Sequence, residues 1–278
     1  MPAVLLERSV VAVAGEDARV FLQGLVTCDM NKVAPGAPAF GALLSPQGKI
    51  LFDFIVVEHA GRFLLDAPRA LGADLLKRLG FYKLRAKVSL ADLSSGEDGL
   101  CVVALPGAHA PAPASAIVYP DPRAAALGER AILPARDAAF ARDAAAAYER
   151  VRIAAGVPLG GADFPYGDVF PHDVNMDLLN GVDFAKGCYV GQEVVSRMHH
   201  RGLLRRRVTP VAVEGAAAPA TPILAGAAAI GALGATLGGE GLALVRLDRL
   251  QDALDSGAPL QAGAATVRAR PFAHLRAG

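Results

Sequence analysis

The chain has 278 residues, of which 53% are hydrophobic and 20% are charged, and its formal net charge is +1. This composition is typical of a soluble globular protein, excludes a disordered chain, and allows one large domain or two to three small ones. The small net charge gives no general attraction to nucleic acid or to a membrane.

Strands and helices alternate over the first half of the chain. Hydrophobic periodicity predicts the following elements in order: a strand over 5–13, a helix beginning at 16–17, strands over 40–44, 50–57 and 63–66, a helix from Pro68 to Leu79, a half-buried strand over 84–90, and a buried strand over 100–105. This alternation predicts an α+β body.

The second half contains a short strand over 117–119 in an alanine- and proline-rich loop, a helix over 137–154, and a long irregular segment over 156–181. Residues 194–198 fit either a helix or a strand. Short strands with turn signals then follow over 208–213, 227–237, 242–247 and 264–270, which predicts a small antiparallel barrel. We therefore divide the chain into a body, 1–205, and a C-terminal barrel domain, 206–278.

Three widely spaced cysteines, Cys28, Cys101 and Cys188, form no CxxC pair. This spacing argues against a self-contained zinc or iron–sulfur cage, so no resident metal site is expected. Free cysteines are typical of a reducing compartment, and the first eight residues lack the apolar run of a signal peptide. Together these features predict a cytoplasmic location.

The octapeptide Lys186–Glu193, KGCYVGQE, concentrates unusual chemistry in a short stretch. Glycines on both sides of Cys188 allow positive φ and a close approach to a ligand. The ammonium group of Lys186 is expected to lower the pKa of the Cys188 thiol and make it more reactive. The alternative is a glycine turn around a small buried thiol.

Other motifs occur with the octapeptide in a fixed order. They are FLQGLVTCD at 21–29, SPQGKI at 45–50 followed by Asp53, YKLRAKV at 82–88, RIAAGVP at 152–158, GVDF at 181–184, and RMHHRG at 197–202. Over residues 8–207 this arrangement resembles the YgfZ family, the T-protein-like folate-binding factors of iron–sulfur cluster assembly and repair. The resemblance is strongest to the branch that contains the mitochondrial member.

The resemblance implies a T-protein (aminomethyltransferase)-like fold, in which two interleaved α/β subdomains and the C-terminal barrel surround a central folate cavity. It also implies a tetrahydrofolate-binding accessory protein whose partners are iron–sulfur assembly proteins or client enzymes. Cys188 would be its functional thiol, either as a ligand of a transient shared cluster or as a redox group. Neither nucleic acid nor membrane is expected as a partner.

Two alternative functions remain open. One is a folate-dependent aminomethyltransferase of the glycine-cleavage type. Enzymes of that type carry two adjacent acids in the first hairpin, whereas this chain has Phe52 beside Asp53; we therefore expect at most trace turnover. The other is a module that senses folate or formaldehyde adducts without catalysis.

Several residues are candidates for contacts with folate. A carboxylate in the apolar strand around Asp53 suits a pocket facing the pterin, or else a solvated sheet edge. Tyr148 suits stacking on a flat heterocycle, or packing of a helix on the core. Asn175 suits hydrogen bonds to a pterin edge, or a loop-capping turn.

Charged residues supply a second group of candidates. Arg85, with Tyr82 and Lys87 nearby, suits the folate glutamate tail, or else a solvated strand face. In and after the octapeptide, the resemblance assigns further cofactor contacts to Lys186, Tyr189, Gln192, Glu193 and Arg197. The basic run from 197 to 207 also fits a solvated surface.

Overall fold

A computed structural model describes residues 1–96, 99–107, 111–141, 144–202 and 204–270. Its strands are β1 (Val4–Leu6), β2 (Arg8–Ala14), β3 (Ala39–Leu44), β4 (Ile50–His59), β5 (Arg62–Pro68), β6 (Ser89–Asp92), β7 (Leu100–Leu105), β8 (Ile117–Pro120), β9 (Glu129–Pro134), β10 (Arg206–Glu214), β11 (Pro222–Ala225), β12 (Ala228–Leu237), β13 (Glu240–Arg246), β14 (Leu260–Ala262) and β15 (Ala265–Ala269). Its α-helices are α1 (Ala18–Gln23), α2 (Gly72–Lys83), α3 (Ala145–Ala154), α4 (Gln192–Arg201) and α5 (Leu247–Ser256).

The strands form three antiparallel units. One is a five-stranded sheet in the order β3-β4-β5-β2-β6, the second a four-stranded sheet in the order β1-β7-β9-β8, and the third a closed six-stranded barrel in the order β10-β13-β12-β11-β14-β15. Strands β1 and β2 are consecutive in the chain but lie in different sheets. This exchange interleaves the two subdomains and confirms the predicted α+β architecture with a C-terminal barrel.

The five-stranded sheet is buried on both faces. In β2, Val10 and Ala12 belong to the central core, which also includes residues of the second sheet and the barrel. The alternate residues Val11 and Val13 pack with α1 and α2 in a separate core. Because successive strand residues point to opposite faces, β2 is almost continuously apolar.

Three predicted elements differ from the structure. The single strand over 5–13 is divided between two sheets. The strand over 84–90 is instead a turn and the start of β6, because α2 continues to Lys83 and Leu84 follows with φ 40 and 88% exposure. The helix over 137–154 is a 3-10 turn, Ala135–Phe140, followed by α3; residues 142–143 lie outside the described residues.

The remaining segments agree more closely with prediction. Residues 156–181 are irregular apart from a 3-10 turn, Pro171–Val174, and residues 194–198 lie in α4. All four predicted barrel strands are present, and β11, α5 and β14 add to them. The last strand was expected to end at 270, and β15 ends at Ala269. Residues 271–278 lie outside the described part of the chain.

Candidate functional site

The octapeptide forms a surface loop that leads into α4. Gly191 has φ 82, and a Cβ at this position would lie 2.6 Å from the carbonyl oxygen of Ser45. Only glycine therefore fits where the loop crosses the β3–β4 turn. Gly187 has no such constraint: its φ is not positive, and no atom lies within 4 Å of an added Cβ. Of the two glycines, only Gly191 adopts the expected positive φ.

Lys186 anchors this loop to the chain that follows α1. Its side chain is buried, and its Nζ donates to the carbonyl oxygens of Gln23, Val26 and Cys28 at 2.9, 2.5 and 2.8 Å. Burial lowers the pKa of Lys186. The ammonium group therefore donates to backbone carbonyls. The sequence had instead predicted that it would stabilise the thiolate of Cys188.

The three cysteines lie in contrasting environments. Cys188 is exposed, whereas Cys28 and Cys101 are buried. Burial raises the pKa of Cys28 to about 12 and also raises the pKa of Cys101. Since the thiolate is the nucleophile and the metal ligand, Cys188 is the cysteine that a partner or reagent reaches.

The rest of the octapeptide is divided between core and surface. Tyr189 is buried in the central core, and burial raises its pKa. Gln192 begins α4, and its backbone N–H donates to the carbonyl of Tyr189 at 3.2 Å. Glu193 and Arg197 form an exposed ion pair of 2.7 Å on the same helix. These predicted contact residues therefore do not converge on one pocket.

The three residues predicted to surround folate have different immediate surroundings. Asp53 is buried beside a cavity of only about 10 Å³, where it accepts a hydrogen bond from the hydroxyl of Tyr166. Asn175 is fully buried and bonded to both Arg207 and the backbone of Val208. Tyr148 alone of the three lines the large cavity described next.

This large cavity measures about 810 Å³ and lies where both sheets, α3 and the barrel strand β12 meet. Its polar wall includes Tyr148 and three buried arginines, Arg8, Arg123 and Arg130. The Tyr148 hydroxyl accepts from Arg123 at 3.3 Å and from Arg130 at 3.1 Å. Arg85, by contrast, is exposed in the turn after α2 and does not line this cavity.

A buried ionic network behind this wall escaped sequence-based prediction. Asp66 pairs with Arg8 and with Arg130, and Asp121 pairs with Arg130 at 2.9 Å and Arg123 at 2.7 Å. Three buried guanidinium groups thus face two buried carboxylates. Asp66 and Arg130 show the same pattern as Asp53, a charged residue within an apolar strand, which indicates a buried charge that needs a partner.

Another buried polar residue that the sequence did not single out is His172. It packs against Phe184 and His199, with ring centroids 5.7 and 6.1 Å away. Neither of its ring nitrogens has a hydrogen-bond partner among the described residues. Burial lowers the pKa of His172.

Within the described chain, none of the helices has the length and apolarity required to span a membrane.

Comparison with known proteins supplies the family. The iron–sulfur cluster assembly factor IBA57 of mouse and that of human are each 32% identical to this chain, and each alignment covers 89% of the chain and 78% of the relative. A homolog from Mycosarcoma maydis is 34% identical over 76% of the chain, which spans only 57% of that relative. All three are named as mitochondrial proteins, so the prediction of a cytoplasmic location is wrong.

Two further comparisons concern the fold. Residues 205–276 match the CAF17 C-terminal beta-barrel domain. The glycine cleavage system aminomethyltransferase T of Bartonella henselae superposes with a TM-score of 0.73 over 98% of this chain and 85% of the enzyme, at 18% identity. That likeness establishes the fold alone. On the sequence identity and coverage of its relatives, the chain belongs to the IBA57 family of iron–sulfur cluster assembly factors.

Proposed function

We propose that this chain assists the assembly or repair of iron–sulfur proteins by contributing the Cys188 thiolate to a cluster shared with a partner protein. The observation that carries this proposal is the exposure of Cys188 on an anchored loop, while Cys28 and Cys101 are buried. A cluster needs several thiolate or imidazole ligands. One accessible cysteine provides one of them, so the partner provides the others.

A deletion strain tests the role of the thiol. Wild type and Cys101→Ala should restore iron–sulfur enzyme activity, whereas Cys188→Ala should fold normally and fail to restore it. Normal complementation by Cys188→Ala would refute the proposal. Alkylation of the native protein at neutral pH provides the independent check, since Cys188 should react before the two buried thiols.

A second measurement separates ligation from redox chemistry. Anaerobic reconstitution of the chain with an iron–sulfur scaffold protein should give a visible cluster spectrum that changes in Cys188→Ser. If Cys188→Ser fails to complement but leaves the spectrum unchanged, Cys188 acts as a redox thiol. The cluster proposal would then be wrong, although the thiol would remain essential.

We further propose that the 810 Å³ cavity binds a folate derivative. Its volume lies within the range of small-molecule sites. Its wall combines the Tyr148 ring with three buried guanidinium groups, and guanidinium groups bind carboxylates such as those of folate bidentately. Calorimetric titration with tetrahydrofolate should show binding that Arg123→Met weakens by about 1–3 kcal/mol.

Arg268→Met provides the charge-matched control for that titration, because Arg268 lies in an exposed ion pair and does not line this cavity. Absence of binding by the wild type would refute the folate proposal. The aminomethyltransferase alternative receives no support from the hairpin, where Phe52 packs in the core against α1 and α2. Ammonia release from an aminomethyl-lipoyl carrier would nevertheless reinstate it.

A further inference from the structure

A second cavity lies between α4, the irregular segment and the start of the barrel. It measures about 460 Å³, within the size range of small-molecule sites. Its apolar surface comes from Phe170, Val194 and Met198. It shares none of its lining residues with the 810 Å³ cavity, so it is a separate candidate site.

Four arginines surround this apolar surface. Arg206 and Arg246 occupy directly opposite positions on the paired strands β10 and β13, Arg205 precedes Arg206, and Arg197 comes from α4. Residues directly opposite in an antiparallel pair project from the same face, where like charges destabilise the sheet. A pair of guanidinium groups in these positions is unfavourable unless an anion compensates for it.

Carboxylates of the protein offset these charges, and one of them, Asp173, lines the same cavity. Arg206 pairs with the buried Asp173 and with Asp168, both at 3.0 Å. Among the described residues, Arg246 and Arg197 form ion pairs with carboxylates that are more than half exposed, Asp248 and Glu193. Exposed pairs of this kind contribute little stability, so both guanidinium groups can turn to a ligand. Arg205 has no ion pair within the described chain.

We propose that this cavity binds a small organic phosphate. The phosphate lies between Arg206 and Arg246, and its flat or apolar body rests on Phe170 and Met198. Guanidinium groups bind both carboxylates and phosphates. Here they approach from a helix and from two strands, and a tetrahedral phosphate offers acceptor oxygens in several directions. A planar carboxylate satisfies such an arrangement less completely.

Calorimetry on the full chain at low ionic strength tests the proposal, with adenosine triphosphate as the probe. We expect the triphosphate to bind, adenosine to show no binding, and citrate to bind at least about ten-fold more weakly. Arg246→Gln should weaken triphosphate binding by about ten-fold or more, as expected when a charge-assisted contact is lost. The same substitution should leave Tm nearly unchanged, because the ion pair that it removes, with Asp248, is exposed and contributes little stability.

Arg268→Gln is the matched control, since Arg268 lies in an exposed ion pair elsewhere on the barrel and the charge change is the same. If both substitutions weaken triphosphate binding equally, the effect is one of overall charge, and the proposed site is overturned. Failure of the wild type to bind the triphosphate would also overturn it, as would citrate binding equally well. A clear fall in Tm for Arg246→Gln would show that Arg246 is held by its ion pair with Asp248 and is not free to turn to a ligand, which would also overturn the proposal.

Discussion

Lys186 fixes the position of the Cys188 loop through a single side chain. Its ammonium group binds three carbonyl oxygens at and after the end of α1, where a cation is also favoured by the helix dipole. Asp183 fixes the other side of the loop by accepting from the backbone N–H groups of Ala185 and Lys186. The thiol is therefore exposed on a backbone that is held immediately before it.

Lys186→Met should lower the free energy of unfolding by about 1.5–3 kcal/mol, because it leaves three carbonyl groups without a charged donor. The loop over 182–191 should also become more sensitive to protease. Lys87→Met is the control, since Lys87 forms an exposed ion pair with Glu16 and its loss should cost less than about 1 kcal/mol. Equal losses in urea unfolding would show that Lys186 does not anchor the loop.

Among the elements, β5 and β9 are linked by a buried ion pair although they belong to different sheets. Asp66 of β5 binds Arg130 of β9 at 2.5 Å and accepts from the hydroxyl of Tyr119 in β8 at 3.1 Å. Burial alone would raise the pKa of Asp66, but Arg8 and Arg130 hold it below its ordinary value of 3.8. The carboxylate therefore links the two sheets in its ionised form.

Asp66→Asn should destabilise the protein by about 3–5 kcal/mol at neutral pH, since it leaves buried guanidinium groups without their counter-ion. A depressed folded-state pKa contributes stability above the unfolded value and loses it as pH falls through the folded one. The difference between wild type and variant in urea unfolding should therefore be constant at neutral pH and shrink below about pH 4.

The exposed substitution Asp252→Asn is the control for this series and should change stability by less than about 0.5 kcal/mol. A difference between wild type and Asp66→Asn that grows on acidification would contradict the assigned direction of the pKa shift. A neutral effect at pH 7 would show that the network is not required to hold the sheets together.

How far the sequence predicts an element depends on where its partners lie. The uninterrupted apolar run of β7 was predicted with its observed bounds, Leu100–Leu105. Strand β9 was missed because Glu129 and Arg130 break its apolar pattern. The partner of Arg130, Asp66, lies 64 residues away in the chain. Local periodicity carries no information about such a pairing.

The same limit applies to the candidate site. The glycines around Cys188 predicted positive φ, a local property of the backbone, and Gly191 adopts it whereas Gly187 does not. The surroundings of Asp53 and Asn175 depend on Tyr166 and on Arg207, which lie 113 and 32 positions away. Residue type alone indicated that both side chains need polar partners, but it did not indicate that the protein supplies them.

At the scale of the whole molecule, Asn175 joins the body to the barrel. Its Nδ2 donates to the carbonyl of Val208 at 3.0 Å, and its Oδ1 accepts from Arg207 at 3.1 Å. Arg207 also pairs with Asp177 at 2.8 Å. With φ 64, Asn175 has the left-handed backbone that asparagine tolerates better than most residues.

Asn175→Ala should lower the free energy of unfolding by about 2–4 kcal/mol, because buried groups lose their partners in a strained backbone. Hydrogen exchange at the start of β10 should increase. Asn180→Ala is the matched control: Asn180 is also left-handed, with φ 59, and its hydrogen bond to the carbonyl of Pro122 is exposed, so its loss should cost about 1 kcal/mol. If both substitutions lower the free energy of unfolding by similar amounts, the effect comes from the left-handed backbone and not from the hydrogen bonds between the body and the barrel.

The exchange of β1 into the second sheet has a consequence for synthesis on the ribosome. Val4 pairs with Ala104, and the other two residues of β1 pair with Val103 and Val102. About a hundred residues must therefore emerge before the first strand meets its partner, and the tunnel delays that meeting further. The nascent strand β1 presents an unpaired edge throughout this interval, and such edges are sites of mispairing and aggregation.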